Sequence, residues 1–273
     1  MSNVITLTTD FGISDAYVPV MKGVILGINP SARIVDICHT IKPQNIFQAA
    51  FIIGTAYKFF PKGSVHVVVV DPGVGTGRRG IVLQTPDATF VAPDNGVLTY
   101  ILREFRERSE ISPVDRQEIA LSSEVMVVSL TEPRFWRNPV SPTFHGRDVF
   151  APVAAHLSLG IPPEEIGEVI ELAVTLPVPE PERSGEGFFI GHVIHIDNFG
   201  NIVTDIRGDD LPSLDITVEI GGSSVSGLSR TYSERSGLLA LIDSFGYLEV
   251  SLRNGNAASF LNVKIGDEVK VKS

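Results

Sequence analysis

Residues 65–70 read VHVVVV, and this continuous apolar run, entered from Lys62-Gly63 and left at Asp71, most constrains the fold. A strand that is apolar on both sides must be covered on both faces, as a central strand of a layered α/β sheet is. The neighbouring segments agree. Val4 to Thr9 is β-rich, and Arg33 to Cys38 reads as a strand. Between them, Tyr17 to Ile28 carries Val18, Met21, Val24, Ile25 and Ile28 at helical spacing. Pro19 falls in its first turn and Asn29-Pro30 stops it. Asn45 to Phe60 reads as a second helix, ended by Pro61-Lys62-Gly63. Further strands are expected near Gly80–Gln84, Thr89–Ala92 and Val125–Leu130, and a helix over Asp148 to Leu159. Alternation of this kind predicts an α/β layered domain with a central, mostly parallel sheet over residues 1–175.

Residues 176–187 read LPVPEPERSGEG. Proline, glycine and charge without periodicity predict a linker. Beyond it the pattern changes. Phe188–Ile196, Ile202–Ile206, Ile216–Ile220, Leu238–Ile242, Leu248–Leu252 and Val269–Val271 are short β-rich runs between turns, with almost no helix signal. They predict an all-β, barrel-like C-terminal domain over residues 188–273.

The chain carries a formal net charge of −10. Such a chain repels phosphate backbones and anionic bilayers, so neither nucleic acid nor membrane is an expected partner. The single cysteine, Cys38, allows no intrachain disulfide and no cysteine metal cluster. It sits in an apolar run and reads as a small core residue. The N-terminal residues lack the basic start and apolar stretch of a signal peptide, and no run of 18 apolar residues occurs. The expected compartment is the cytoplasm.

Two acids stand at strand ends. Asp10 follows VITLTT and Asp71 follows VHVVVV. Ligands of open α/β sheets bind outside the carboxyl ends of the strands, which makes both acids site candidates, although Asp also serves as an ordinary loop cap. Residues 71–80, DPGVGTGRRG, contain a literal GxGxxG. A dinucleotide fingerprint has to open a helix, and here the strand-like Ile81-Val82-Leu83-Gln84 comes next. A P-loop is excluded because no Lys-Ser/Thr follows the glycines. The loop still gathers Asp71, Arg78 and Arg79. Residues 143–148, TFHGRD, precede a predicted helix, with Asp148 as its expected N-cap and His145 and Arg147 at its mouth. Of the six histidines, His145 is the one in a polar loop. No HExxH-type spacing and no GxSxG elbow occurs, so neither a zinc site nor an α/β-hydrolase is expected. In the second half, IDNFGN (196–201), DSFGYL (243–248) and NGNAA (254–258) mix amides or aromatics with glycine. Each suits either an ordinary turn or the grip on a flat base.

Taken together, TTDFG at 8–12, DPGVGTGRR at 71–79, TFHGRD at 143–148, IDNFGN at 196–201, and SFGYLEV with NGNAA near the end resemble the S-adenosylmethionine (SAM) hydroxide adenosyltransferase family. These are the water-using relatives of the fluorinase and chlorinase. The resemblance spans nearly the whole chain. It implies an α/β N-terminal and a β-barrel-like C-terminal domain. It also implies a homotrimer with substrate between neighbouring subunits, and conversion of SAM and water to adenosine and methionine. The family's Asp, Arg and His set matches Asp71, Arg78 and His145. By the same resemblance Asp10 holds the ribose hydroxyls, with Phe47 beside the ribose. Asp197 and Ser244 hold the methionine end, and Phe199, Asn201 and the backbone near Ala258 frame the adenine.

Those residue types suit the reaction. Methionine leaves a sulfonium as a neutral thioether and needs no general acid. Water is a poor nucleophile at neutral pH, so a base or a cationic site must supply the difference. His145 can accept a proton, Arg78 can stabilise hydroxide, and Asp71 can orient either partner or take the proton itself. No metal or redox cofactor is expected. Two other readings stand beside this one. A non-catalytic adenosyl-ligand sensor would have no need of Asp71, Arg78 and His145 together. A halide transferase would have no need of a carboxylate beside its anion, although Gly146 offers such an anion room and a backbone N–H.

Overall fold

The computed structural model describes residues 3–105, 117–120, 122–183, 188–211 and 213–272. The chain forms two compact units, Met1–Pro177 and Val178–Ser273.

In the first unit the elements run β1 (Val4–Thr9), α1 (Tyr17–Ile28), β2 (Arg33–Cys38), α2 (Ile46–Ala56), β3 (Ser64–Val69), β4 (Gly80–Gln84) and β5 (Ala88–Pro93). They continue with α3 (Thr99–Glu104), β6 (Gln117–Ala120), β7 (Met126–Leu130), α4 (Ala151–Ser158), β8 (Gly167–Ile170) and β9 (Leu172–Thr175). Seven strands form one sheet in the order β2-β1-β3-β5-β4-β7-β8. The pairings among β2, β1, β3 and β5 are parallel, whereas β4, β7 and β8 join antiparallel. Five of the seven, β7 included, therefore run in one direction, as the alternating pattern predicts. β6 and β9 pair separately.

The apolar run that leads to Asp71 does what its pattern requires. Val65, Val67 and Val69 face one way and pack with Met21 and Ile25 of α1 and Val153 and Leu157 of α4. Val68 and Val70 face the other way, against Ala49 and Ile53 of α2 and Ile101 and Leu102 of α3. His66 breaks the run without breaking the burial. It is fully buried, its Nδ1 is 2.8 Å from the Thr6 hydroxyl, and its ring stacks on Phe90. The sheet is thus the middle of three layers.

One local expectation fails. Asp148 does not cap a helix. It lies inside a π-turn, Gly146–Phe150, that runs into α4 at Ala151. Its fully buried carboxylate takes both forks of Arg147, at 2.6 Å each, and the Ser141 N–H at 2.9 Å. Three donors, two from the adjacent Arg147 and one from Ser141 in the preceding loop, outweigh the single backbone bond that a cap would offer.

The second unit contains β10 (Glu182–Arg183), β11 (Phe188–Ile196), β12 (Ile202–Arg207), β13 (Thr217–Ile220), β14 (Ser223–Ser226), β15 (Leu238–Ile242), β16 (Tyr247–Leu252), α5 (Ala257–Leu261) and β17 (Glu268–Lys272). Of the linker expected at 176–187, residues 184–187 lie outside the described residues, and β10 pairs with β11. The strands form one antiparallel sheet, β14-β13-β17-β11-β12-β16-β15. The Ser229 N–H, just past β14, donates to the Ala240 carbonyl of β15 at 2.7 Å, which draws the two edges together into a nearly closed barrel. Inside lie Ile202, Val218, Leu248, Val250, Val269 and Val271. Asn256 caps α5, the one α-helix of this unit among the described residues, by accepting from the Ser259 N–H.

Candidate active site

The site in the first unit begins with two parallel neighbours. β1 and β3 pair with Thr9 opposite Val69, so Asp10 and Asp71 leave the same sheet edge side by side. The connection from β1 passes to β2 on one side, and the chain then returns to β3 on the other. A crevice opens at the carboxyl ends of strands where connections diverge in this way. Here it is a cavity of 390 Å³, lined by Asp10, Gln44, Asp71, His145 and Gly146, and by the rings of Phe11, Tyr17 and Phe144.

Asp71 is clamped. Arg78, seven residues on, donates through Nε to Oδ1 at 2.8 Å and through Nη2 to Oδ2, a two-pronged pair that is almost fully buried. The glycines of the loop make the return possible. Gly75 has φ +77°, and a Cβ there would stand 2.4 Å from the carbonyl oxygen of Pro142. The loop after β3 therefore lies directly against the loop that carries His145. The Arg78 Nη2 also reaches His145 Nδ1, at 3.0 Å. A guanidinium only donates, so Nδ1 accepts and the neutral ring carries its proton on Nε2. Burial and the Arg78 charge push the His145 pKa below its usual 6.5, against the pull of Asp71 and Asp148. Asp71 and His145 thus line the cavity, and Arg78 joins them into one contiguous chain from behind its wall.

Asp10 accepts from the Gln44 N–H at 2.7 Å, and Gln44 itself holds φ +64°. Phe47, in the first turn of α2, is about half exposed and lies outside the cavity lining, where Gln44 stands instead. Gly146 is less open than its lack of a side chain suggests. It is buried, and a Cβ would meet Phe144, Met21 and Phe11 at 3.2–3.3 Å. Phe11, Tyr17 and Phe144 form a mutual trio with ring centroids 5.2–5.7 Å apart. Nothing in their spacing in the sequence, on three separate segments, marks them as a group.

The second unit has its own cavity, of 750 Å³, lined by Asp197, Phe199, Asn201, Tyr232, Arg253 and Asn254 among others. Asp197 organises its loop. Its Oδ1 accepts from the Phe199 and Asn201 N–H groups and its Oδ2 from the Asn201 side chain, all within 2.9 Å. Phe199 is left 74% exposed, a large apolar face held outward. Tyr232 was not legible as a site residue; its hydroxyl donates to the buried Glu249 at 3.0 Å. Ser244 lies in the exposed turn after β15, and Ala258 lies in α5; neither lines this cavity. The Ala258 N–H donates to the Gly200 carbonyl, and its own carbonyl accepts from Val263, so its backbone is engaged within the unit. Among the described residues, no three His, Cys, Asp or Glu side chains converge as a metal cage.

Comparison with known proteins decides the family. Residues 5–167 match the model of the SAM hydroxide adenosyltransferase N-terminal domain, and residues 191–270 match that of its C-terminal domain. The chain belongs to the SAM hydroxide adenosyltransferase family. An (R)-S-adenosyl-L-methionine hydrolase of Salinispora arenicola is 36% identical over 98% of this chain and 97% of its own. The crystal structure of an uncharacterized conserved protein from Thermotoga maritima superposes with a TM-score of 0.87 at 36% identity, covering 98% of this chain and all of that one. A fluorinase of Nocardia brasiliensis is more distant, 28% identical over 98% of this chain and 96% of its own. The Asp71–Arg78–His145 chain falls within the N-terminal match, and the Asp197 loop within the C-terminal one.

Proposed function

We propose that this protein hydrolyses SAM to adenosine and methionine by attack of water at the ribose C5′. The observation that carries the reading is the clamped Asp71–Arg78–His145 chain opening on the cavity that Asp10 also lines. The names of its 35–36% identical relatives add the (R) sulfonium epimer as substrate.

The geometry divides the roles. His145 gives its Nδ1 lone pair to Arg78, so toward the cavity it acts as an N–H donor that orients water. Asp71 is the acceptor of the set. Each of its oxygens takes one bond from Arg78 and keeps a further lone pair for a proton of that water. The fixed Arg78 charge then stabilises the hydroxide-like oxygen as the proton leaves. Asp10 holds the ribose hydroxyls, a grip made alike in the ground state and the transition state that contributes to substrate binding. In the second unit Asp197 and Ser244 hold the methionine end, while Phe199, Asn201 and the Ala258 segment frame the adenine. Phe47 remains a candidate for the ribose side. The assembly is a homotrimer with sites at subunit interfaces, working in the cytoplasm.

Halide transfer is the competing reading, because fluorinases are among the relatives. A carboxylate beside the nucleophile disfavours a bare anion and favours water, and Gly146 is hemmed in by two aromatic rings and a thioether. Incubating the protein with each SAM epimer and separating the products tests both readings. Adenosine and methionine in equal amounts from the (R) epimer are expected. Halogenated 5′-deoxyadenosine as the major product under saturating chloride or fluoride would move the protein to the halogenases.

A further inference from the structure

The turn that carries Asp10 is held from behind by a residue that never touches the cavity. His39 follows β2 by one residue, and its side chain is 7% exposed. Its Nδ1 lies 2.9 Å from the Thr9 hydroxyl, and that hydroxyl also accepts from the Phe11 N–H at 3.3 Å. The His39 carbonyl accepts from the Gly12 N–H at 2.8 Å, where Gly12 has φ +71°. Thr9 and Gly12, on either side of Asp10, are thus tied directly to His39, and Phe11 is tied to it through Thr9. The far side of the ring is fixed too. Nε2 stands 3.1 Å from Asp36 Oδ1, an electrostatic contact outside hydrogen-bond geometry, and Lys22 of α1 donates to Asp36 Oδ2 at 2.6 Å.

The direction of the chain follows from Asp36. Its carboxylate faces Nε2 and favours the ring proton there, so Nδ1 accepts the Thr9 hydroxyl proton while the Thr9 oxygen accepts from the Phe11 N–H. A buried hydroxyl with both roles assigned has one rotamer, and it transmits that rotamer to the backbone at Phe11. Asp10 then needs a single further bond, from the Gln44 N–H, to present one oxygen in a fixed direction.

We propose that His39 is a positioning residue for the ribose, acting through Thr9 to fix the 9–12 turn and with it the Asp10 carboxylate. This rests on the reading of Asp10 as the ribose-holding group. The interaction is made in the ground state and the transition state alike, so its loss falls on KM rather than kcat.

The test is steady-state kinetics on the full-length protein with SAM, each variant accompanied by a thermal melt. His39→Ala is expected to raise KM by about tenfold or more while kcat stays within about threefold. His39→Asn places an amide where Nδ1 stands and is expected to restore KM to within about threefold of wild type. Combined with Asp10→Ala, His39→Ala is expected to add nothing further, because both act on one contact. Thr9→Val, which conserves volume and removes the linking hydroxyl, is expected to reproduce the KM defect and carries the test if His39→Ala does not fold. An unchanged KM in His39→Ala, or in Thr9→Val where that variant stands in, overturns the proposal. So do penalties that multiply in the double variant. Wild type run alongside keeps the two readings apart. If it releases no adenosine from either epimer, the hydrolase assignment falls, and with it the ribose role of Asp10 on which His39 depends. Normal wild-type turnover with an unmoved variant KM removes His39 alone.

Discussion

The Arg78 Nη2 stands 3.0 Å from His145 Nδ1 while the same guanidinium grips both oxygens of Asp71. One planar cation therefore sets the direction of a carboxylate acceptor and of an imidazole. That relationship makes Arg78 the least replaceable member of the set.

Arg78→Lys keeps the charge and loses the fork. An ammonium cannot hold two carboxylate oxygens and a ring nitrogen in one plane. We expect kcat to fall by about a hundredfold or more with KM changed by less than about fivefold. Steady-state assays of adenosine release check this, and a lysine variant with near-normal kcat would show that charge alone suffices.

Acid should silence the enzyme through His145. Burial and the Arg78 charge hold its pKa below 6.5, so the neutral ring persists through neutrality and its protonation comes at lower pH. Protonation fills Nδ1, breaks the acceptance from Arg78 and sets two cations side by side. The kcat/KM profile is expected to be flat near pH 7 and to fall at a midpoint under 6.5. His145→Asn should lower the plateau and remove that limb. A limb that survives the substitution assigns it to another group.

Stability has its own acid limb, from His66. In the fold its pKa is lowered to about 4 by burial, from 6.5. The unfolded chain therefore binds more protons between those values. Stability contributed by the neutral ring is complete above about pH 6.5 and is lost as pH falls towards 4, by up to about 3 kcal/mol. Urea unfolding at pH 7 and pH 5 measures it. His66→Phe, which keeps the stack on Phe90, should flatten that dependence even if it shifts the absolute stability.

Asp148→Ala should damage both fold and turnover. It leaves the Ser141 N–H unpaired and releases Arg147, with Arg137 3.3 Å from the same carboxylate. Both arginines are partly exposed and can rehydrate, so the cost is smaller than the full penalty for an orphaned buried charge. The loop it anchors carries Phe144, His145 and Gly146, so kcat should drop in protein that is still folded. A melt with turnover measured well below the midpoint separates the two effects.

Much of the site was legible because strand ends are legible. VITLTT and VHVVVV announce buried parallel strands, and the residue just past the end of such a strand lies at the sheet edge where ligands bind. That argument finds Asp10 and Asp71 without a structure. The grouping of Arg78 with His145 came from motif resemblance, since no local rule links residues 67 positions apart. Asp148 was misread because an acidic residue before a helix looks like a cap, and the arginines that bury it stand out of cap register. Phe11, Tyr17, Phe144 and Gln44 were missed since each is ordinary in its own segment and becomes a wall only through tertiary packing. Thr99–Glu104 and the short α5 escaped for want of length, since five or six residues show no period.

The approach of Gly75 to the carbonyl of Pro142 has a practical side. Position 75 is where the two loops constrain each other, since any side chain there would run into the Pro142 carbonyl. Anyone grafting a loop into residues 71–79 has to keep glycine at that position or move the 141–148 segment with it. A graft with a bulkier residue there would meet a steric mismatch before any question of chemistry arose.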